Sequence, residues 1–174
     1  EHTRPRLWYT RSMPRAPAYF LTWRTYGTWL HGEPGSVDHT HNGFGQPHVT
    51  PDAGRVEFIR QHMIDAPFIL SPIARQLVDK VIRDHCTRRH WTLLALAVRS
   101  NHVHVVIADP DPPPELIVQQ LKMWATRKLR EHDIIGPRQR TWAVHASTLY
   151  LFDPGSVTEK VRYVLEMQDD PPPE

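Results

Sequence analysis

Two histidines separated by one residue carry the clearest chemistry in this sequence. They lie in the segment NHVHVVI at residues 101–107, whose β-branched residues are typical of a strand. Successive side chains of a strand point to opposite faces, so His102 and His104 are expected to project together. Two neighbouring imidazoles on a rigid element are a ready pair of metal ligands. The alternative is that both histidines lie on a polar strand face and bind no metal. The chain has twelve histidines, so the H-x-H pattern also arises by chance.

A second candidate is Tyr163, in the segment VRYVLEMQ at residues 161–168. A tyrosine hydroxyl can be a covalent nucleophile. A phenol is mostly neutral at pH 7, so its attack on a phosphodiester requires a metal that polarises the phosphate. The alternative for Tyr163 is a boundary residue that only packs its ring. Glu166 and Gln168 follow closely, and each is either a metal ligand or a solvated side chain.

A third feature is the basic character of the segment at residues 114–132. Its cationic side chains are Lys122, Arg127, Lys128 and Arg130. Cations that track phosphates beside a ring that stacks on bases are typical of proteins that hold single-stranded nucleic acid. The alternative is an ordinary amphipathic helix, and we assign Trp124 to the core while keeping the basic residues as phosphate contacts.

The elements that would position these residues alternate along the chain. Strands are predicted at 18–26, 91–98, 101–108 and 141–152, and the second and third form a hairpin that turns near residues 99–100. Helices are predicted at 71–89, 114–132 and 156–168, with a short helix or turn at 54–66. Locally paired strands with helices laid on them indicate an α+β fold, with a ferredoxin-like antiparallel sheet and helices packed on one face.

Two helix starts are marked by capping residues. Ser71 followed by Pro72 fits the cap and the first helical position. Ser156 and Glu159 match the capping box, so we expect the last helix to begin at Ser156.

Length and composition bound the class of protein. The 174 residues suit one domain at 18–170, preceded by a basic arm at 1–17 and followed by a Pro-rich tail at 171–174. One cysteine excludes an internal disulfide or a Cys-based zinc site. No apolar run is long enough to cross a membrane, and the basic arm lacks the apolar segment of a signal peptide, so we expect a cytoplasmic protein. The net charge of +2 and the isoelectric point near 8.9 favour a polyanionic partner.

The order of these features resembles the single-tyrosine HUH transposases of the insertion sequence 200/605 type and their REP-associated relatives. The similarity runs from about Tyr19 to Gln168 and is most specific at SNHVHVV (100–106) and RYV (162–164). The segment AYFLTWRTYGTWLHGEPGSVD (18–38) is similar to a subgroup encoded as lone genes. The resemblance implies that His102 and His104 bind a divalent metal, Mg²⁺ or Mn²⁺. It also implies that Tyr163 cuts single-stranded DNA, forming a 5′-phosphotyrosine and a free 3′-hydroxyl.

The resemblance further implies a third metal ligand, a partner and a setting. Well-known members use a Gln four positions past the Tyr, whereas this chain has Met167 there and Gln168 five positions on. Gln168 is the expected ligand and Glu166 the alternative. Expected DNA contacts are Asn101 and the four basic residues of 114–132. We also expect hairpin-containing single-stranded DNA as the partner, a homodimer whose subunits often exchange the Tyr, and a prokaryotic, nucleoid-associated location.

The sequence also fits two other functional hypotheses. One is a domesticated nuclease of the same type that acts on the host's own repeats. The other is a module that binds single-stranded nucleic acid without catalysis, which the shifted position of Gln168 favours and the retention of His102, His104 and Tyr163 disfavours.

Overall fold

A four-stranded antiparallel sheet forms the centre of the protein in a computed structural model, which describes residues 17–34 and 49–166. The strands are β1 (Ala18–Thr25), β2 (Thr92–Val98), β3 (His102–Ala108) and β4 (Trp142–Leu151), in the spatial order β2-β3-β1-β4. The helices are α1 (Ala53–Gln61), α2 (Pro72–Arg89), α3 (Pro114–Glu131) and α4 (Pro154–Glu166). This order confirms the α+β, ferredoxin-like prediction. The predicted arm up to residue 16, Gln168 and the tail lie outside the described residues.

The two faces of the sheet are covered by different helices. Along β1, the odd-numbered residues Tyr19, Leu21 and Trp23 join the larger core with α2 and α3, whereas Ala18 and Phe20 join a smaller core with α4. The prediction of helices on one face therefore holds for α2 and α3, and α4 lies on the opposite face. The physical reason is β3, whose residues 103–107 are all buried, so both faces of this central strand need a cover.

One of the two predicted helix starts is confirmed and the other is wrong. The Ser71 hydroxyl accepts a hydrogen bond from the Ala74 amide at 3.2 Å, as expected for the cap of α2. At α4, however, the cap is Asp153, whose Oδ1 accepts from the Ser156 amide at 2.8 Å. Pro154 follows Asp153 and takes the first helical position, where its missing N–H costs nothing.

Connections at one end of the sheet hold the β2–β3 hairpin in place. The Thr25 amide donates to the Asn101 carbonyl at 2.9 Å, and the Leu70 amide donates to the Ser100 carbonyl at 2.7 Å. The predicted turn near residues 99–100 is thus confirmed and is tied to two other parts of the chain. In the described ranges, no helix has the length and apolar character needed to span a membrane.

Candidate active site

His102 and His104 project from the same face of β3, and their ring centroids are 4.6 Å apart. On this face His104 lies between Thr22 of β1 and Ala97 of β2. His102 lies beside Arg24 of β1 in the next row of the sheet. The alternation expected from the sequence therefore brings the two imidazoles together, on an inner strand that is hydrogen-bonded along both edges.

His104 is buried and held in one orientation. Only 7% of its surface is exposed, and its Nδ1 lies 2.7 Å from the Thr22 hydroxyl. Burial lowers the pKa of His104 to about 3, with smaller contributions from the nearby charges of His102, Arg24 and Arg99. The ring is therefore neutral at pH 7, which is the form that binds a metal. With Nδ1 bonded to Thr22, Nε2 is the nitrogen available as a ligand.

His102 has a comparable support from its neighbour in sequence. Its Nδ1 lies 2.6 Å from Oδ1 of Asn101, and an amide oxygen only accepts, so Nδ1 carries the proton and donates. The backbone carbonyl of Asn101 accepts from both the amide and the hydroxyl of Thr25. Asn101, predicted as a DNA contact, thus lies where it orients His102; its contact with DNA stays a prediction.

Helix α4 brings Tyr163 to the same place. The helix is anchored by Val164, which is fully buried, and by the partly buried Val157 and Val161. The ring centroid of Tyr163 is 5.7 Å from that of His104, and Phe20 stacks on His104 at 5.4 Å. The candidate nucleophile and the histidine pair are therefore neighbours within a single chain.

Lys160 is a member of this site that the sequence analysis missed. Its Nζ is 5.8 Å from the centroid of the Tyr163 ring and 6.0 Å from that of Phe20, and it also donates to Glu159 at 3.1 Å. Residues three apart share a helix face, so the spacing of Lys160 and Tyr163 was the available signal.

The residues present fit part of a metal site. Two imidazoles share a face, and each has its Nδ1 in a hydrogen bond, which is the usual arrangement around a ligating histidine. Residues 17–34 and 49–166 contain no group of three His, Cys, Asp or Glu side chains that could hold an ion. Glu166 pairs with Arg162 at 2.9 Å on an exposed part of α4, and Gln168 lies beyond the described residues. Glu166 and Gln168 as third ligand both stay predictions.

The basic residues of α3 lie away from the histidine pair, because α3 packs on the opposite face of the sheet. Lys122 Nζ donates to the backbone carbonyls of residues 143–145, the closest at 2.8 Å, and burial lowers its pKa to about 8. Arg127 and Lys128 both pair with Glu131, while Arg130 is exposed. Their role as DNA contacts stays a prediction, and Lys122 has a structural role at the edge of β4.

Comparisons with known proteins agree with this architecture. No curated protein sequence matches the chain. A solved structure of a REP-associated tyrosine transposase bound to a REP hairpin has a TM-score of 0.52 and 12% identity, covering 90% of this chain and 68% of that one. At this identity the similarity shows the fold. A crystal structure described as a putative transposase from Deinococcus radiodurans R1 has a TM-score of 0.44 and 17% identity, covering 88% of this chain and 92% of that one.

A family model gives the more direct assignment. Residues 66–151 match the model described as "Transposase IS200 like". The matched segment begins before α2, includes the whole of β3 with its two histidines, and ends at the last residue of β4. Through this segment the chain is similar to the IS200-like transposase family.

Proposed function

We propose that this transposase cuts and rejoins single-stranded DNA in a metal-dependent reaction that passes through a covalent bond to Tyr163. The observation that carries the proposal is the position of the Tyr163 ring, 5.7 Å from the ring of His104 on the face that also carries His102. The similarity to this family supports the class of reaction. A nucleophile beside two ligand-competent imidazoles supports the specific chemistry.

His102 and His104 would hold a divalent ion, Mg²⁺ or Mn²⁺, with Gln168 or Glu166 as a further ligand. When bound, the ion supplies polarisation of the scissile phosphate and offsets the negative charge that develops on it. Thr22 and Asn101 keep the two rings in the orientation that this requires.

The side chain of Tyr163 performs the covalent step. Its hydroxyl oxygen attacks the phosphorus and releases its proton, and the bond from phosphorus to the 3′-oxygen breaks. The departing oxygen takes up a proton and becomes a 3′-hydroxyl. The 5′-phosphotyrosine retains the energy of the broken bond, so the reverse attack by a 3′-hydroxyl rejoins DNA without a nucleotide cofactor. The ammonium group of Lys160, 5.8 Å from the Tyr163 ring, is placed to offset charge on the phosphate during attack.

The proposed substrate is single-stranded DNA that contains a hairpin. The similar structure described above holds a REP hairpin, and the matching fold supports a related ligand here. Single strands are held by cations along the backbone and by rings against the bases, and this chain offers both. A homodimer remains part of the proposal, with the site formed either within one chain, where the Tyr163 ring lies 5.7 Å from that of His104, or between two subunits.

The test is covalent capture of labelled single-stranded DNA on a denaturing gel, with Mg²⁺ or Mn²⁺ and with EDTA. We expect a protein–DNA adduct from the wild type that EDTA abolishes, and none from Tyr163→Phe. The matched control is Tyr150→Phe, because Tyr150 lies opposite Tyr19 in the β1–β4 register, on the sheet face turned away from His104. An adduct that persists in Tyr163→Phe and disappears in Tyr150→Phe would reassign the nucleophile. If the wild type binds DNA but forms no adduct with either metal, a non-catalytic binding module replaces the enzyme.

A further inference from the structure

The sheet face that carries the histidines is only partly covered by α4. The helix packs over the row formed by Phe20, Val106 and Ala95, and Tyr163 reaches the next row at His104. One row further along, His102 is flanked by two arginines. Arg24 lies opposite His102 on β1, and the Arg99 amide donates to the His102 carbonyl at 2.8 Å from the other side.

These two arginines bring positive charge to the histidine pair. Among the described residues, neither guanidinium forms an ion pair with a carboxylate. The Nε of Arg99 is buried and has no hydrogen-bond partner in that part of the chain. Buried donors are normally paired, so this N–H leaves Arg99 with an unsatisfied hydrogen-bonding group beside the histidine pair among the described residues.

Trp29 adds a flat aromatic surface to the same end of the sheet. The guanidinium carbon of Arg24 lies 5.6 Å from the centroid of the Trp29 ring. The turn that carries Trp29 is fixed by Thr28, whose hydroxyl donates to the Thr25 carbonyl at 3.0 Å and to the Asn101 carbonyl at 3.3 Å. The ring is thus tied to the hairpin that positions His102.

We propose that Arg24, Arg99 and Trp29 form a nucleotide subsite beside the histidine pair, in which the arginines bind the phosphodiester next to the scissile one and Trp29 stacks on its base. Guanidinium groups match phosphate oxygens geometrically, and an aromatic ring accepts any base by its π-face. The subsite rests on the proposed function, because its ligand is the single strand that Tyr163 cuts. In this arrangement the strand runs from Tyr163 and Lys160, past the histidines, to Trp29. The subsite therefore binds the nucleotide on the Trp29 side of the cleavage point.

The experiment measures equilibrium binding in EDTA on a Tyr163→Phe background, so that no covalent product forms. The probes are fluorescent single-stranded oligonucleotides of one sequence, each with one abasic position. We expect one abasic position to weaken binding about 5- to 150-fold, the range for one stacked base. Adding Trp29→Ala should weaken binding of the intact strand by a similar factor and remove the effect of that same abasic position. Trp29→Phe keeps a stacking ring and should restore the positional effect, which separates lost stacking from lost folding.

The arginines are tested by the salt dependence of the same binding. The slope of log affinity against log salt is negative, and each lost phosphate contact reduces its steepness by about 0.7 for a single strand. Arg24→Ala and Arg99→Ala should each show this reduction. The matched control is Arg83→Ala, because Arg83 is exposed on α2 and paired with Asp79 at 2.7 Å. Its slope should equal that of the parent protein.

The outcomes separate the subsite from the proposed function. The first outcome is that the wild type forms the adduct, the effects of Trp29→Ala and of each abasic position on affinity are additive, and the arginine variants keep the salt slope of the parent protein. In that case the subsite is wrong and the strand cleavage stands. The second outcome is that no adduct forms but Trp29→Ala removes the effect of one abasic position on affinity. In that case the subsite stands and the cleavage is wrong. Absence of single-strand binding by the wild type overturns both.

Discussion

Replacing Thr22 by Val tests the support of His104 most directly. The substitution keeps the shape of the side chain and removes the hydroxyl that lies 2.7 Å from His104 Nδ1. If that nitrogen donates its proton to Thr22, the ring presents Nε2 as a lone-pair donor. Without the hydroxyl, the proton can move to Nε2, and the ligand-competent form is no longer selected.

The expected size of the effect follows from the burial of His104. With 7% of the residue exposed, Nδ1 finds no water when its partner is removed, whichever ring nitrogen carries the proton. An unsatisfied buried donor or acceptor costs about 1–3 kcal/mol, so the free energy of unfolding should fall by about that amount. Loss of an outer partner of a ligating histidine typically weakens metal binding about 10- to 100-fold. That loss corresponds to about 1.4–2.8 kcal/mol of binding free energy.

The assay is calorimetric titration of Mn²⁺ into the wild type and Thr22→Val, with urea denaturation of both. Thr148→Val is the matched control, because Thr148 also lies in a sheet strand and its hydroxyl donates to Glu115 at 3.0 Å on the other side of the sheet. The control should bind Mn²⁺ as the wild type does. Equal Mn²⁺ affinity in Thr22→Val and wild type would refute the view that Thr22 selects the ligand form of His104.

Three further predictions concern the same face of the sheet. Unfolded His104 binds a proton near pH 6.5 but the folded form only near pH 3, so stability should fall as the pH drops through that window. Its contribution approaches about 1.4 kcal/mol per pH unit and should disappear in His104→Asn, measured by urea denaturation across pH. Lys160→Met should lower the rate of adduct formation at saturating DNA at least about tenfold. Lys160→Arg should lower this rate less, and Glu159→Gln should leave it unchanged. Asp153→Ala should lower the free energy of unfolding more than Ser156→Ala does, and the opposite order would show that Ser156 is the cap.

The sequence was sufficient to predict the element order and the histidine pair, because both depend on short-range periodicity. Alternation along residues 101–107 places His102 and His104 on one face wherever the strand lies in the sheet. The pattern of four strands and the helices between them likewise led to the ferredoxin-like arrangement. These inferences needed no knowledge of which strands are neighbours.

The supporting residues could not be predicted, because they depend on register between distant strands. Thr22 reaches His104 across 82 positions of sequence, and Arg24 lies opposite His102 only in the observed pairing of β1 with β3. A shift of one residue in that pairing would turn both side chains to the other face. Lys122 illustrates the converse, since its helical position indicates a solvated cation whereas the packing of α3 against β4 directs it to backbone carbonyls.

The two halves of the candidate site differ in how firmly the fold holds them, and this difference suits the proposed strand transfer. The histidines lie on β3, an inner strand bonded to β1 and β2 along its whole length. Tyr163 lies on α4, where Val164 is the one fully buried residue within the described helix and Leu165 is 60% exposed. Few buried apolar contacts mean a low cost of displacing the helix. In the proposed reaction a covalently attached DNA end must leave one 3′-hydroxyl and meet another. A weakly docked helix would let the proposed nucleophile move between them while the histidine pair stays fixed.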